Sequence, residues 1–145
     1  MKRRVPSEDA GFTLLELLIV IAILGLLGVV GTIQLTGYLS NAKADTAKLQ
    51  LDQLITALDL YRVDVGRLPT TDEGLGALLA QPQGTTRWRG PYLRKSQALD
   101  DPWGNRFLYK RPGEHREYDL FSYGADGKAG GDGADTDITN WDEHS

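Results

Sequence analysis

The chain has 145 residues, 41% of them hydrophobic, which is enough for one domain and one additional segment. Its net charge of −4 at pH 7 argues against nucleic-acid binding, for which a basic surface is expected. Because there is no cysteine, disulfide bonds, thiolate metal sites and a cysteine nucleophile are excluded. The two histidines, His115 and His144, lie in polar surroundings, where we expect exposed loop residues rather than ligands or bases.

Residues 12–30 form an apolar run that contains a single charged residue, Glu16. As a helix, these 19 residues would be roughly 28 Å long, about the thickness of the hydrocarbon core of a bilayer. Uncharged but more polar residues continue the run to position 42. Since residues 2–4 are basic, the positive-inside rule places the N-terminus in the cytoplasm and the rest of the chain across the inner membrane.

Two simpler interpretations of this run are a secretory signal peptide and a plain signal anchor. The run is longer than the apolar core of a signal peptide, and no cleavage site of small residues follows it. A plain signal anchor fits the length but leaves unexplained the charge of Glu16 and the abrupt junction between Gly11 and Phe12. A charged side chain at the centre of a membrane helix costs roughly 2.5–3.5 kcal/mol, so Glu16 requires a specific reason.

Beyond Asn41, apolar residues recur at spacings of three and four, which is the pattern of one face of an α-helix. These residues are Ala44, Ala47, Leu51, Leu54, Ile55, Leu58 and Tyr61. The pattern predicts one unbroken helix from about residue 12 to about residue 65. Gly66 is a candidate C-cap for this helix, and Pro69 prevents its continuation.

A second, shorter helix is predicted after Pro69. Thr70 and Glu73 have the spacing of a capping box, which predicts a helix that continues through Gln81. Residues 83–104 are rich in glycine and proline and predict a loop. Three aromatic residues of this loop are candidates for packing against the rest of the domain: Trp88, Tyr92 and Trp103.

The last third of the chain predicts a small antiparallel sheet. Two strands are expected at residues 106–110 and 117–123, joined by a turn around residues 111–114 as a β-hairpin. A third short strand is expected near residues 137–141. A long helix followed by these strands gives an α+β fold.

The start of the chain resembles the class III signal of type IV pilins and pseudopilins, on the residues MKRRVPSEDAG followed by FTLLELLIVIAILGLLG. In that family a dedicated peptidase cuts on the cytoplasmic side, between the Gly and the Phe, and N-methylates the new terminal Phe. The resemblance therefore implies cleavage between Gly11 and Phe12, with methylation of Phe12. Glu16 takes the place of the acidic residue at the family's fifth mature position, for which the resemblance implies a role in assembly.

Cleavage would create an ammonium group on Phe12, one helical turn before Glu16. The helix dipole favours a carboxylate near a helix N-terminus, and a neighbouring cation lowers the cost of burying it. In a filament, Glu16 of one subunit can therefore meet the Phe12 amine of a neighbour, and an unpaired charge would penalise wrong axial registers. A glutamate that only snorkels to the membrane surface is the alternative.

The rest of the chain is similar to the G-type pseudopilins, the major pseudopilins of type II secretion systems. The residues that carry this similarity are LDLYRVDVGRLPTTDEGLGALL, GPYLRK, DPWGN and DLFSYGADGKAGGDGADTDITNW. It implies a pilin-like α+β fold, in which one long N-terminal helix, transmembrane in its first half, packs on a small antiparallel sheet with a C-terminal Ca²⁺-binding loop. The family usually has a proline in the first half of the helix, where this chain has Ile33.

The resemblance also divides the chain into three parts. Residues 1–11 are a cytoplasmic leader that is cleaved, residues 12–42 are the transmembrane and assembly half of the helix, and residues 43–145 are the periplasmic domain. The implied function is the major structural subunit of the pseudopilus, which polymerises in the periplasm to drive protein export across the outer membrane. The implied partners are further copies of the chain, minor pseudopilins, the prepilin peptidase/methyltransferase and the inner-membrane assembly platform, with no nucleic acid.

Two other classes of function are weighed against this one. A type IV pilin or minor pseudopilin would serve adhesion, motility or DNA uptake, but the acidic charge argues against DNA and the missing cysteines against an ordinary pilin. A membrane-anchored enzyme would need paired catalytic groups, for which Asp100, Asp101 and Asp119 are the candidates. Asp101 precedes Pro102 as in a turn, Asp119 lies in a predicted strand, and no nucleophile–base set is evident, so we expect no enzyme.

Residues 126–145 contain six acidic residues, one lysine and four glycines. Spacing alone favours a solvated acidic tail, because the stretch does not match the ligand pattern of an EF-hand. The resemblance reverses that interpretation, because G-type pseudopilins hold Ca²⁺ in this loop. It implies carboxylate ligands from Asp126, Asp135 and Asp137, with Asp132 as an alternative to Asp135. The backbone carbonyls of Tyr123 and Lys128 complete the implied ligand set.

Overall fold

The computed structural model describes residues 13–142, without the side chains of residues 30–37. Its contacts divide the chain into two compact units, residues 1–38 and 39–145. A single helix, α1, runs over Leu14–Val65 and confirms the long helix predicted from the apolar pattern. Its backbone stays helical through residue 33, where the resembled family usually has a proline.

In the first unit, every described side chain over residues 13–29 is exposed. Among the described residues, no helix has an apolar stretch of the length that a membrane crossing requires. The membrane span predicted at residues 12–42 includes Phe12 and the side chains of residues 30–37, which lie outside the described part of the chain.

In the second unit, the predicted apolar face of α1 forms one wall of the core. Its buried residues are Ala47, Leu51, Leu54, Ala57, Leu58 and Tyr61. They belong to one hydrophobic cluster with Leu68, Leu75, Ala77, Leu78, Leu99, Phe107, Leu120 and Ile138. Ala44 and Ile55, which the pattern also placed on this face, are half-buried. The cluster buries the apolar side chains of the helix against the segments that follow it, which is the main stabilising term expected for such a domain.

Three short strands form an antiparallel sheet in the order β1-β2-β3. They are β1 (Leu108–Lys110), β2 (Asp119–Ser122) and β3 (Ile138–Thr139). Tyr109 pairs with Leu120 across the first two strands, and Ser122 pairs with Ile138 across the last two. The predicted hairpin and third strand are therefore confirmed, and the α+β fold class with them.

The strands are shorter than predicted, and the connection between β1 and β2 is longer. The carboxylate of Asp119 accepts hydrogen bonds from the backbone N–H groups of Glu114, His115 and Arg116, at 2.8, 3.2 and 3.3 Å. Because these donors are bound to a side chain, they cannot pair with a neighbouring strand. The connection therefore extends over residues 111–118 instead of a tight turn at 111–114.

The capping box at Thr70 and Glu73 is confirmed, but the helix that it was expected to open is wrong in type. The Glu73 carboxylate accepts from the Thr70 N–H at 2.8 Å, and the Glu73 N–H donates to Thr70 Oγ1 at 3.2 Å. Gly74 follows with φ of +54°, outside the α-helical region, and only a short 3₁₀ helix forms at Leu75–Leu78. The positive φ of Gly74 thus ends the turn before an α-helix can propagate.

The same Glu73 forms a two-pronged ion pair with Arg67, whose guanidinium nitrogens lie 2.6 and 2.7 Å from the carboxylate oxygens. Hydrogen bonding to Arg67, the largest cause, lowers the pKa of Glu73 from its ordinary 4.5 to about 2, and the bond from the Thr70 N–H adds to this lowering. The Glu73 side chain is 19% exposed and that of Arg67 is 39% exposed, so solvent weakens the pair. The pair ties the end of α1 to the turn that follows it.

We predict that Glu73→Gln will lower the free energy of unfolding by about 1–2 kcal/mol at pH 7, because a charge-assisted pair is lost while the side-chain shape is kept. The folded pKa lies below the ordinary value, so this contribution is present above pH 4.5 and is lost as the pH falls toward 2. Denaturant unfolding across this range should show a flatter acid limb for the variant. The matched control is Glu114→Gln, whose partner Lys110 is exposed; an equal loss there would contradict the prediction.

Candidate functional site

The two residues of the predicted processing junction, Gly11 and Phe12, lie outside the described residues. Glu16 lies in the first turn of α1, and its side chain is exposed. Its backbone N–H donates to Thr13 Oγ1 at 3.2 Å, and the Leu17 N–H donates to the Thr13 carbonyl at 3.2 Å. Thr13 therefore caps the helix and fixes Glu16 at its third helical position.

The sequence predictions do not include the capping role of Thr13, although a signal for it is present. Thr13 and Glu16 have the threonine–glutamate spacing of a capping box. A carboxylate in the first helical turn is stabilised by the helix dipole. The cap thus fixes the backbone of Glu16 at a defined place in the first turn of α1, with its carboxylate exposed.

The helix surface around Glu16 is apolar and uncovered. Leu14, Leu15 and Leu18 are 87%, 68% and 65% exposed. Apolar surface of this extent is unfavourable in water and marks a region that contacts lipid or protein. Within this apolar surface, Glu16 is the one charged residue of the described residues 13–29.

The second candidate site is the acidic loop, residues 124–137, which lies within the connection between β2 and β3. Its two arms are joined where the Ala125 N–H donates to the Ala134 carbonyl at 2.9 Å. Gly124 has φ of +70°, and a Cβ placed there would lie only 2.8 Å from the Ala134 carbonyl oxygen. Gly124 is therefore required both by its backbone conformation and by the close approach of the opposite arm.

The predicted ligand residues occupy different environments in this loop. Asp126 is exposed and accepts from the Lys128 N–H at 3.0 Å, so these two residues form a local turn. Asp135 is half-buried and lies at the end of a 3₁₀ helix, Gly133–Asp135. Tyr123 is half-buried and directly precedes Gly124. Within residues 13–142, no three acidic, histidine or cysteine side chains converge as a metal-binding group.

Asp137 differs from the other predicted ligands because one of its carboxylate oxygens is buried without a hydrogen-bond donor in the described part of the chain. Its Oδ2 accepts from the Gly130 N–H at 3.0 Å, which joins the two arms of the loop a second time. Its Oδ1 is buried and has no hydrogen-bond partner among the described residues. An unsatisfied buried acceptor of this kind costs about 1–3 kcal/mol. A carboxylate oxygen in that position is chemically suited to a hard cation such as Ca²⁺.

Two of the three carboxylates that were weighed as catalytic groups, Asp101 and Asp119, are used for structure instead. Asp101 is buried, and its Oδ1 accepts from the backbone N–H groups of Trp103 and Asn105 at 3.0 and 2.8 Å. Burial would raise the pKa of Asp119, but the hydrogen bonds from Glu114, His115 and the neighbouring backbone lower it overall. Both groups close turns, as expected for Asp101 from the proline that follows it.

His115 is an exposed loop residue, as predicted, but it has specific contacts. Its Nδ1 lies 3.1 Å from Asp119 Oδ2, and its ring stacks on Trp141 with the ring centroids 4.1 Å apart. His144 lies outside the described residues.

Comparison with known proteins gives two family matches. The model of "Type II secretion system (T2SS), protein G" matches residues 34–141, and the prokaryotic N-terminal methylation motif matches residues 7–32. The type II secretion system core protein G of Pseudomonas aeruginosa is 40% identical over 98% of this chain and 99% of its own length. That of Vibrio cholerae is 38% identical over 92% of each chain.

A solved structure agrees with these matches. The major pseudopilin from the type 2 secretion system of enterohaemorrhagic Escherichia coli is 34% identical, with a TM-score of 0.60. The match covers 74% of this chain and 93% of that one, which confirms the pseudopilin-like α+β fold. The family model matches residues 34–141, and relatives align along nearly the whole chain. This protein therefore belongs to the protein G family of type II secretion systems.

Proposed function

We propose that this chain is the major structural subunit of a type II secretion pseudopilus, which polymerises in the periplasm to drive protein export across the outer membrane. The observation that carries this proposal is the match, along 98% of the chain, to a relative described as a type II secretion system core protein G. The family is one of structural subunits, so the chain acts as a building block and not as an enzyme.

The exposed apolar surface of residues 13–29 supports a membrane stage followed by assembly. Before assembly, lipid would cover this surface in a single-pass inner-membrane protein whose N-terminus is cytoplasmic and whose C-terminal domain is periplasmic. The basic residues at positions 2–4 favour that orientation. After assembly, the same surface would be covered by the helices of other copies.

The helix cap supports a role for Glu16 in that assembly. Thr13 holds the first turn in place, so the Glu16 carboxylate has a defined position along the helix axis. We infer that it pairs with the ammonium group that cleavage creates on Phe12 of a neighbouring copy. The methylation motif at residues 7–32 favours processing by a prepilin peptidase/methyltransferase. Minor pseudopilins and the inner-membrane assembly platform are the further partners that we propose.

Calcium binding by the acidic loop is the third part of the proposal. Asp126, Asp135 and Asp137 would hold the ion, together with the carbonyl oxygens of Tyr123 and Lys128. The unpartnered, buried Oδ1 of Asp137 and the all-oxygen chemistry of these groups support this set. A bound Ca²⁺ ion would supply the positive charge that several carboxylates in one loop require.

Processing gives the first prediction of this section. Because residues 7–32 match the methylation motif, the mature chain should lack residues 1–11 and begin with N-methyl-Phe12. Intact-mass measurement on protein extracted from membranes of peptidase-containing cells tests this. Cells that lack the peptidase are the control and should give the full-length mass. Retention of residues 1–11 in the presence of the peptidase would refute the assignment.

Assembly gives the second prediction, and it also tests the proposed function. Deletion of the gene should stop export of the secreted proteins, and the wild-type chain should restore it. Glu16→Ala should still insert in the membrane, because removal of a charge makes insertion easier, but it should neither form filaments nor restore export. Secreted activity, membrane fractionation and filament yield on overexpression are the three measurements.

Glu8→Ala is the matched control for this experiment, because it removes a glutamate from the leader that cleavage discards. It should assemble like the wild type. Filament formation by Glu16→Ala at the wild-type level would contradict the charge-pairing argument. Intact export after deletion, with loss of twitching motility or DNA uptake, would instead indicate a type IV pilin.

The third prediction concerns the acidic loop. The melting temperature of the full chain in detergent should fall in excess chelator and should recover more with Ca²⁺ than with Mg²⁺, which requires a stricter octahedron. A ligand that binds only the folded state stabilises it by roughly 2.7 kcal/mol at a hundredfold excess over Kd. Asp137→Ala and Asp126→Ala should each abolish most of the response. Asp72→Ala, an exposed acidic residue outside the loop, is the control and should keep it.

An unchanged melting temperature after metal is stripped would contradict the calcium proposal. It would leave the loop as a solvated acidic segment.

A further inference from the structure

The first residue of the acidic loop, Gly124, is held from two sides by side chains of the domain. The Asn105 side-chain amide donates to the Gly124 carbonyl at 3.0 Å. The Gly124 N–H donates to Ser122 Oγ at 3.1 Å. Both backbone polar groups of Gly124 are therefore bound by side chains, and Gly124 itself is buried.

The two residues whose side chains hold Gly124 are both hydrogen-bonded to Asp101, Ser122 through its side chain and Asn105 through its backbone. The Ser122 hydroxyl donates to Asp101 Oδ2 at 2.5 Å, and the Asn105 N–H donates to Asp101 Oδ1 at 2.8 Å. The Asp101 N–H donates in turn to the Asn105 carbonyl at 2.7 Å, which closes the turn. Asp101 and Ser122 are 5% and 1% exposed, so this network is a fixed part of the domain interior.

Gly124 also contacts the opposite arm of the loop. A Cβ at Gly124 would lie 2.8–2.9 Å from backbone atoms of Ala134, Asp135 and Thr136, so the two arms are in direct backbone contact there. The neighbouring Ala125 N–H donates to the Ala134 carbonyl at 2.9 Å. The position of Asp135, and of Asp137 two residues later, therefore depends on where Gly124 is held.

We propose that Asn105 and Ser122 are positioning residues for the acidic loop, and that through Gly124 they determine its affinity for a divalent cation. This inference rests on the calcium binding proposed above. Neither side chain belongs to the proposed ligand set; each acts by fixing the backbone from which the ligands project. The turn Asp101–Asn105 is thereby given a role in cation binding in addition to its role in the fold.

The physical reason is the cost of ordering the ligands. A loop whose arms move independently would have to be ordered when the ion binds, and that cost reduces affinity. Hydrogen bonds that orient ligands from outside the coordination sphere typically change metal affinity by a factor of 10 to 100. Truncation of Asn105 is a clean test, because its backbone N–H can still donate to Asp101 after the amide is removed.

The test compares wild type, Asn105→Ala, Ser122→Ala and the control Thr71→Ala, each as the full chain in detergent. Thr71 Oγ1 likewise joins two remote segments, because it donates to the Arg111 carbonyl and accepts from the Arg111 N–H, both at 2.8 Å. Calorimetric titration with CaCl₂ gives Kd. Hydrogen exchange of residues 124–131, followed in ion-free protein by mass spectrometry, reports the order of the loop without any ion.

Asn105→Ala should raise Kd for Ca²⁺ roughly tenfold and should speed exchange over residues 124–131 in the ion-free protein. Thr71→Ala should change neither quantity. Ser122→Ala should act in the same direction; if it fails to fold, because Asp101 loses a buried donor, Asn105→Ala still decides the matter. Wild-type affinity in Asn105→Ala, or an equal loss of affinity in Thr71→Ala, would overturn the inference.

A wild-type chain that does not bind Ca²⁺ would overturn the calcium proposal, and with it the link to affinity. Hydrogen exchange then decides the positioning role separately. Faster exchange of residues 124–131 in Asn105→Ala, but not in Thr71→Ala, would support it, and unchanged exchange would overturn it.

Discussion

The apolar face of α1 over residues 47–61 must be covered, and this constraint governs the rest of the domain. The sheet available to cover it has only nine strand residues, three in β1, four in β2 and two in β3. So small a sheet cannot complete a core alone, and loop and 3₁₀ segments supply the remainder. Leu68, Leu78 and Leu99 all lie outside the strands and are at most 1% exposed.

A core built largely from loops places backbone polar groups where no strand can pair with them. Side chains take that place, since buried N–H and carbonyl groups need partners. Asp119 binds three consecutive N–H groups, and Asn140 both accepts from the Leu120 N–H at 3.0 Å and donates to the Tyr118 carbonyl at 3.1 Å. The Tyr109 hydroxyl donates to the Pro69 carbonyl at 2.8 Å, from a strand to a distant loop. These bonds provide partners for backbone groups that the short strands leave unpaired.

The contrast between a helix with a repeating apolar pattern and a core completed by loops explains what the sequence could and could not predict. The long helix and its buried face follow from a repeating pattern, and the capping box at Thr70 follows from spacing within four residues, so both were predictable. The connection between β1 and β2 is organised around Asp119, whose donors are known only once the chain has folded. Two signals in the sequence were not used. Gly74 is unfavourable for an α-helix after Thr70, and the Thr13–Glu16 spacing is that of a helix cap. At the acidic loop the residue spacing favoured a solvated tail and only the family resemblance implied ligands; the unequal burial of their oxygens is a tertiary property.

Asp137 of the acidic loop differs from the two buried aspartates of the domain in its hydrogen bonding. Asp101 and Asp119 are 5% and 3% exposed, and both oxygens of each accept N–H or O–H donors from the chain. In Asp137, the buried Oδ1 has no such donor among the described residues, and its nearby glycines have no side chains to provide one. The chain has no cysteine with which to close this loop covalently. A cation would both satisfy the carboxylate and join the two arms of the loop, which is the physical basis for proposing one at this segment.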